Sequence, residues 1–195
     1  MASIKLTGDT SGEITISAPA VAGTNTISLP AETGSVLTDA TTSHIIEVDM
    51  WRLTTNKTSD GNLVNLERCD DASFAKIGTG MSFDSSGGIF TFPRTGVYQI
   101  LVQSTGRAGS GDTVAIWTQV SQDNFTTNDI TSQTTVGDDD ASNNSSFGQQ
   151  FVNITNTSTH KVRFYAASIA SGSYIQGDTD SNVTSFSFIR IGDSQ

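Results

Sequence analysis

The chain has 195 residues and a formal net charge of −10, and only 15% of its residues are charged. This size allows one domain with an appendage, or two small domains. Ser, Thr and Asn make up one third of the chain, which favours strand faces and turns over helix interiors. Nucleic-acid binding is not an expected function, because 10 Lys and Arg against 20 Asp and Glu leave no excess of positive charge for phosphates.

Membrane insertion and secretory export are not expected either. The longest apolar runs are far shorter than the roughly 20 residues that cross a bilayer, and residues 1–9 lack the apolar core of a signal peptide. Cys69 is the only cysteine, so the sequence offers neither an intrachain disulfide nor a multi-cysteine metal site. We expect this thiol to be buried or incidental.

Residues 1–40 contain no aromatic side chain, and every Phe, Trp and Tyr lies between Trp51 and Phe188. The pattern T-I-S-x-P-A-x-x-G occurs twice, at residues 15–23 and 26–34. Each copy predicts a short strand that ends at a Pro and a Gly turn, but a self-supporting solenoid needs about three repeats. We predict an extended β-rich arm that buries its apolar side chains against other copies or other proteins; a disordered leader is the alternative. These side chains are Ile14, Ile16, Ile27, Leu29, Val36 and Leu37.

From residue 41 onward, apolar and polar residues alternate in several segments, which predicts strands. The predicted strand faces are Ile46, Val48 and Met50; Tyr98, Ile100 and Val102; Val114, Ile116 and Val120; and Val162, Phe164 and Ala166. Clusters of Gly, Asp, Ser and Asn between them predict turns. Residues 41–195 are therefore expected to form a second domain of about eight to ten strands, an antiparallel sandwich or jelly roll.

Two predicted strands, at residues 97–102 and 186–191, are apolar on both faces. A strand in a two-layer sandwich hides only one face in its own core. The second face is covered either by another subunit or by long loops of the same chain. We predict the first arrangement, an oligomer.

The residues around Phe83 resemble a known signature. Six residues separate Phe83 from Phe90, five separate Phe90 from Gly96, and Tyr98 follows. This spacing is similar to the central part of the signature of the C1q-like and tumour-necrosis-factor-like jelly rolls, with Ile100 and Val102 where that pattern prefers aromatic residues.

The end of the chain also fits this family, since residues 185–189 resemble its last strand without the glycine. The resemblance implies a homotrimeric jelly roll and does not imply a role in complement. The residues that it assigns to the core and trimer signature are Phe83, Phe90, Phe92, Gly96, Tyr98, Phe186 and Phe188.

Nearly all of residues 4–39 resemble segments found in fibre and other structural proteins of tailed bacteriophages. This second resemblance implies a virion protein, assembled in the host cytoplasm, that binds other virion proteins through residues 1–40. Residues 41–195 would then form the displayed trimeric head.

No enzyme motif is present, and His44 and His160 are the only histidines. We therefore expect a protein without catalytic activity. Asp178, Asp180 and Asn182 alternate as oxygen ligands do at the start of a calcium loop, but the later Gly and Glu of an EF-hand are missing. Residues 138–140 form a second acidic cluster. Calcium binding and simple solvated loops are the two interpretations, and no other cofactor is expected.

The leading hypothesis is a trimeric tail fibre or fibre tip that attaches to a host-surface glycan or protein. Three weak sites held close together raise the overall avidity. Loops at residues 105–112, 137–146 and 171–182 are the predicted sites of specificity. A capsid decoration or head-fibre protein is the first alternative, and a secreted C1q-like binding module is the second.

Overall fold

The computed structural model describes residues 3–7, 10–17, 21, 23–24, 45–74, 76–109, 112–138 and 142–195. The chain divides into two units, residues 1–42 and 43–195. The predicted domain boundary at residues 40/41 lies outside the described residues. The described residues form strands, turns and loops, and none of them belongs to a helix that could span a bilayer.

The first unit contains one antiparallel hairpin, formed by β1 (Ser3–Thr7) and β2 (Glu13–Ser17). Ile14 and Ile16 of the predicted arm both lie on β2, where they are opposite Leu6 and Ile4. The side chain of Ile16 is exposed, as are those of Ile4 and Leu6. Four further residues of the predicted arm lie outside the described residues: Ile27, Leu29, Val36 and Leu37.

The described part of the second unit contains twelve strands. These are β3 (Val48–Leu53), β4 (Gly61–Asn62), β5 (Leu66–Arg68), β6 (Ser82–Asp84), β7 (Ile89–Thr91), β8 (Gly96–Arg107), β9 (Asp112–Ser121), β10 (Asp129–Asp138), β11 (Asn143–Ile154), β12 (Lys161–Ala167), β13 (Tyr174–Ile175) and β14 (Ser185–Gly192). The number exceeds the predicted eight to ten because several are pieces of two or three residues, too short to show an alternating pattern.

The twelve strands form two sheets in which every pairing is antiparallel. Sheet I has the order β10-β9-β12-β7-β6, with β4 added beside β12. Sheet II has the order β11-β8-β14-β3-β5, with β13 added beside β8. The predicted all-β class with antiparallel sheets is confirmed.

An aromatic core fills the space between the two sheets. The rings of Phe164 from sheet I and Phe186 from sheet II stack with centroids 4.0 Å apart, and those of Phe90 and Phe188 lie 5.0 Å apart. Burial of one such side chain contributes about 1.5–3 kcal/mol to stability. The core therefore accounts for why the aromatic residues of the sequence concentrate after residue 50.

Around the start of β3, carboxylates rather than the predicted aliphatic side chains face the interior. Val48 and Met50 share a strand face as predicted, but that face is only half-buried, whereas Glu47 and Asp49 are buried. The N–H of Gly80 donates to Glu47 Oε2 over 2.9 Å, and the N–H of Met81 donates to Asp49 Oδ2 over 2.7 Å. These hydrogen bonds, with ion pairs to Arg68 and Arg94, allow two charges to be buried where a sequence pattern favours apolar residues.

Candidate assembly interface and loop sites

The outward face of sheet II carries an uncharged, largely apolar surface from β11 to the first half of β3, and the ion pair of Arg52 and Glu67 lies beside this surface on the same face. Across the strands, Phe151, Gln99, Ile189 and Val48 form one row of register partners, and Gln149, Leu101, Ser187 and Met50 form the next. Phe147 lies on the same face of β11. We define these nine residues as the assembly face.

The two phenylalanines of β11 are the most exposed members of the assembly face. Phe147 is 64% exposed and Phe151 is 61% exposed. Gln99 Nε2 donates to Gln149 Oε1 over 3.0 Å, so each of these two side-chain amides has one of its hydrogen-bonding groups paired within the assembly face. None of the nine residues is charged, although the chain has a net charge of −10. Identical copies could therefore approach through this face with little electrostatic repulsion.

The segments that the sequence marked as apolar on both faces contribute to this surface. In β8, Tyr98, Ile100 and Val102 point into the core, and the alternate Leu101 points outward. In β14, Ile189 points outward and Ile191 is 50% exposed. The described loops of the same chain therefore do not cover the outer face of these strands. Of the two arrangements that the sequence allowed, this favours cover by another subunit.

The predicted signature residues lie inside the protomer. Phe90, Phe92, Phe186 and Phe188 are buried in the core, and the half-buried Phe83 ring lies 4.6 Å from that of Phe90. Their contacts stabilise the single chain. The outward residues of the same strands, rather than the signature itself, are the ones available to another subunit.

Tyr98 and Gly96 have separate physical roles at the start of β8. The buried Tyr98 hydroxyl donates to the carbonyl oxygen of Arg94 over 3.0 Å, and burial raises the pKa of Tyr98 to about 12. Gly96 has a φ of +148°, and a Cβ at this position would collide with the Arg190 guanidinium and the Gly192 carbonyl. The positive φ and the lack of space for a Cβ explain the glycine, and the hydrogen bond to Arg94 explains the preference for tyrosine over phenylalanine at Tyr98.

A buried arginine in β3 is a feature that the sequence analysis missed. Arg52 is 2% exposed and contacts three carboxylates: Glu67 at 2.8 Å, Asp71 at 2.9 Å, and Asp70. The hydrogen bond with Glu67 is the largest cause that raises the pKa of Arg52 above its ordinary value, against the opposing effect of desolvation. The signal in the sequence was an isolated Arg in an apolar strand followed by a short acidic run.

The three predicted specificity loops meet at one end of the sandwich, which we call the apical end. There β8 ends and β9 begins, β10 ends and β11 begins, and β13 pairs with the end of β8. Asn143 connects two of the loops, because its side chain accepts a hydrogen bond from Tyr174 Oη over 2.9 Å and donates to Gln176 Oε1 over 3.0 Å. Residues 110–111 and 139–141 of these loops lie outside the described residues.

The residues of the predicted calcium loop occupy a turn at the apical end. Asp178 Oδ1 accepts the N–H groups of Asp180 and Ser181 over 2.7 and 2.9 Å, and these bonds lower the pKa of Asp178. Asn182 Oδ1 instead accepts a hydrogen bond from the buried Cys69 thiol over 3.0 Å. Over the described part of the chain, no three His, Cys, Asp or Glu residues are grouped as a metal site would require. Calcium binding and a solvated turn both stay open interpretations of this loop.

The fold was compared with known proteins. No protein-family model and no curated protein matches the chain. Among solved structures, Eiger TNF from S. frugiperda is similar with a TM-score of 0.58 and 12% identity, over 77% of this chain and 95% of that one. Murine APRIL at pH 5.0 is similar with a TM-score of 0.54 and 11% identity, over 74% of this chain and 98% of that one. At this identity the likeness concerns the fold, and the chain has the TNF-like jelly-roll fold that the sequence predicted.

Proposed function

We propose that this chain is a non-enzymatic structural protein of a bacteriophage virion, a homotrimeric tail-fibre or fibre-tip protein that attaches to the host surface. The TNF-like fold and the phage-like residues 4–39 support this proposal. The single observation that carries it is the assembly face. A head that functions as a monomer has no physical reason to expose Phe147 and Phe151 beside uncharged neighbours.

The assembly face has the chemistry of a subunit interface. Interfaces are depleted of charge at their centre and enriched in aromatic side chains. Transfer of one exposed Phe side chain into an interface contributes about 1.5–3 kcal/mol. Three copies that bury Phe147 and Phe151 together would offset the loss of rotational and translational freedom on association.

The two ends of the sandwich suit display from a particle. The first described residues of the second unit, Ile45 to Glu47, lead into β3 at the end opposite the apical loops, which we call the basal end. There the Arg190 N–H donates to the Glu47 carbonyl over 3.0 Å. A chain that enters at the basal end leaves the apical loops free to contact a host-surface glycan or protein, and three copies of them would bind with avidity.

The oligomeric state tests the assembly face. Light scattering of the full chain at micromolar concentration should give the mass of a trimer. Phe147→Asp combined with Phe151→Asp should give a folded monomer, because each carboxylate would have to be desolvated in the interface. Thr135→Asp, on the exposed outer face of sheet I, is the matched control and should stay trimeric. A monomeric parent protein would contradict the proposal.

A capsid decoration or head-fibre protein is the alternative that shares the same fold and assembly face. Copy number in purified particles distinguishes the two locations, because tail fibres are present in tens of chains or fewer and decoration proteins in hundreds. A secreted C1q-like binding module is the second alternative. Failure to detect the chain in any purified particle, with the trimer intact, would favour it.

A further inference from the structure

A cavity of about 370 Å³ lies at the basal end of the sandwich, away from the apical loops. It is formed where the loop between β9 and β10 faces the end of β11. Val120, Val152 and His160 form its inner part, and the exposed Gln122, Asp129 and Thr155 lie at its rim. This volume is at the small end of the range for ligand pockets.

The lining combines an apolar floor with neutral polar groups and one carboxylate. Neither Lys nor Arg is among the described residues that line the cavity, so an anionic ligand would face the charge of Asp129 without compensation. A divalent cation would find only Asp129 and His160 as strong ligands, and no metal-binding group of three is present in the described residues. A wholly apolar ligand would leave the amide, hydroxyl and carboxylate groups without partners.

Several polar groups around the cavity have unused hydrogen-bonding capacity. Among the described residues, no hydrogen bond occupies the side chain of Gln122 or Asp129. The His160 ring is 7% exposed, and its two nitrogens have only long contacts of 3.4 Å with Thr155 Oγ1 and Thr159 Oγ1. Thr131, which also lines the cavity, donates to the side-chain Oε1 of Gln150, and the buried Nε2 of the same amide has no hydrogen-bond partner among the described residues.

The loop that forms one wall is held in a fixed conformation. Ser121 Oγ accepts the N–H of Phe125 over 2.7 Å, and Asp123 Oδ1 accepts the N–H of Thr127 over 2.9 Å. Asn124 and Phe125 have left-handed φ angles of 58° and 62°, a conformation that non-glycine residues rarely adopt. Such strain concentrates at ligand sites, and a wall fixed in advance reduces the entropy lost on binding.

From these features we infer that the basal cavity binds one uncharged sugar ring. A sugar ring presents a C–H face, which suits Val120 and Val152, and an edge of hydroxyl groups, which suits Gln122, Asp129 and His160. The amide and carboxylate would fix the orientation of the ring through hydrogen bonds to its hydroxyls. The site lies at the opposite end from the predicted specificity loops, and this inference does not depend on the proposed role in a virion.

Proton NMR of the full chain tests the inference, because the sequence has only two histidines and their ring protons are easily assigned. The protein is titrated separately with D-glucose, D-galactose, N-acetyl-D-glucosamine and L-rhamnose. At least one sugar should shift the His160 ring signal saturably, with a Kd on the order of 1 mM for so small a ligand. The absence of a saturable shift with all four sugars would overturn the inference.

Two variants locate the binding. Asp129→Ala and Gln122→Ala, both at exposed rim positions, should each weaken binding at least about tenfold without a change in melting temperature. Gln133→Ala, exposed on sheet I, is the matched control and should bind like the parent protein. Equal binding by all variants would show that the sugar binds outside the basal cavity and would overturn the inference. A His160 shift produced by glucosamine or ammonium chloride, and by no uncharged sugar, would identify a cation site and also overturn the inference.

Discussion

Asp49 and Arg68 form a bidentate ion pair inside sheet II, with Arg68 Nε 2.9 Å from Asp49 Oδ1 and Arg68 Nη2 3.1 Å from Asp49 Oδ2. Asp49 is 1% exposed and also accepts the indole N–H of Trp51 over 3.0 Å. One carboxylate therefore connects strand β3, strand β5 and the loop that precedes β6. We expect it to be the most costly polar side chain of the second unit to remove.

Asp49→Ala should lower the free energy of unfolding by about 3 kcal/mol or more, because it leaves the Arg68 charge and the Trp51 and Met81 N–H groups without their acceptor. Urea denaturation followed by tryptophan fluorescence measures the change. Asp193→Ala is the control, since Asp193 also pairs with an arginine but is almost fully exposed. Its cost should stay below about 1 kcal/mol. Equal losses of unfolding free energy in the two variants would show that burial does not determine how much these ion pairs stabilise the fold.

Gly96→Ala should destabilise the second unit by more than about 1 kcal/mol, because alanine disfavours the positive φ and its Cβ would displace Arg190. Thermal unfolding of the purified variants measures the effect. Gly192→Ala is a matched control within the same part of sheet II, since a Cβ at Gly192 would meet no atom within 4 Å. A melting temperature lowered as much by Gly192→Ala as by Gly96→Ala would contradict this interpretation.

The raised pKa of Tyr98 predicts a loss of folding stability at alkaline pH. Its pKa is raised from 10.0 to about 12, so the folded state holds this proton more tightly than the unfolded chain does. The stabilisation is complete below about pH 10 and is lost as the pH rises towards 12, by up to about 2 kcal/mol.

The Tyr98→Phe variant separates this effect from general alkaline denaturation. It loses the hydrogen bond to the Arg94 carbonyl, which should cost about 1 kcal/mol at neutral pH. Its stability should then fall less steeply than that of the parent protein between about pH 9 and about pH 11. Urea midpoints at these two pH values make the comparison. Parallel losses would show that Tyr98 is not the group that titrates.

Calcium should leave the melting temperature unchanged. The Asp178 carboxylate is already engaged by the N–H groups of its own turn, and the Asn182 side chain is engaged by Cys69. Differential scanning fluorimetry in millimolar calcium chloride, with magnesium chloride as the control, tests this expectation. A calcium-specific rise that disappears in Asp178→Asn would establish the calcium loop instead.

The fold could be predicted from the sequence because alternation and turn residues act locally. The spacing from Phe83 to Tyr98 resembles that of the TNF-like jelly rolls, and the TNF-like fold of the chain confirms this resemblance. The inward Asp49 carboxylate of β3 could not be predicted, since its partners lie 19 residues away at Arg68 and 32 residues away at Met81. Only the folded chain brings these groups together.

The candidate surfaces were predictable in part. The sequence indicates an outward apolar face in β8 and β14, yet Phe147 and Phe151, its most exposed members, were not identified. They share a strand face with Gln149 between them, so the mean hydropathy of β11 is low and the alternation is hidden. The basal cavity has no sequence signal, because its lining combines two separate segments, residues 120–131 and 152–160, that only the fold brings together.

The hydrogen bonds of β3 have a mechanical consequence for the second unit. The strand begins where the chain enters, with Val48 bonded in both directions to Ile77 and with β14 alongside. A tension applied through Ile45 along the strand axis would load these bonds at the same time, in shear, because they run perpendicular to the strands. Detachment of β3 would require these hydrogen bonds to break together rather than one after another. The strand at which the chain enters therefore resists pulling more strongly than a strand whose hydrogen bonds break in sequence from one end.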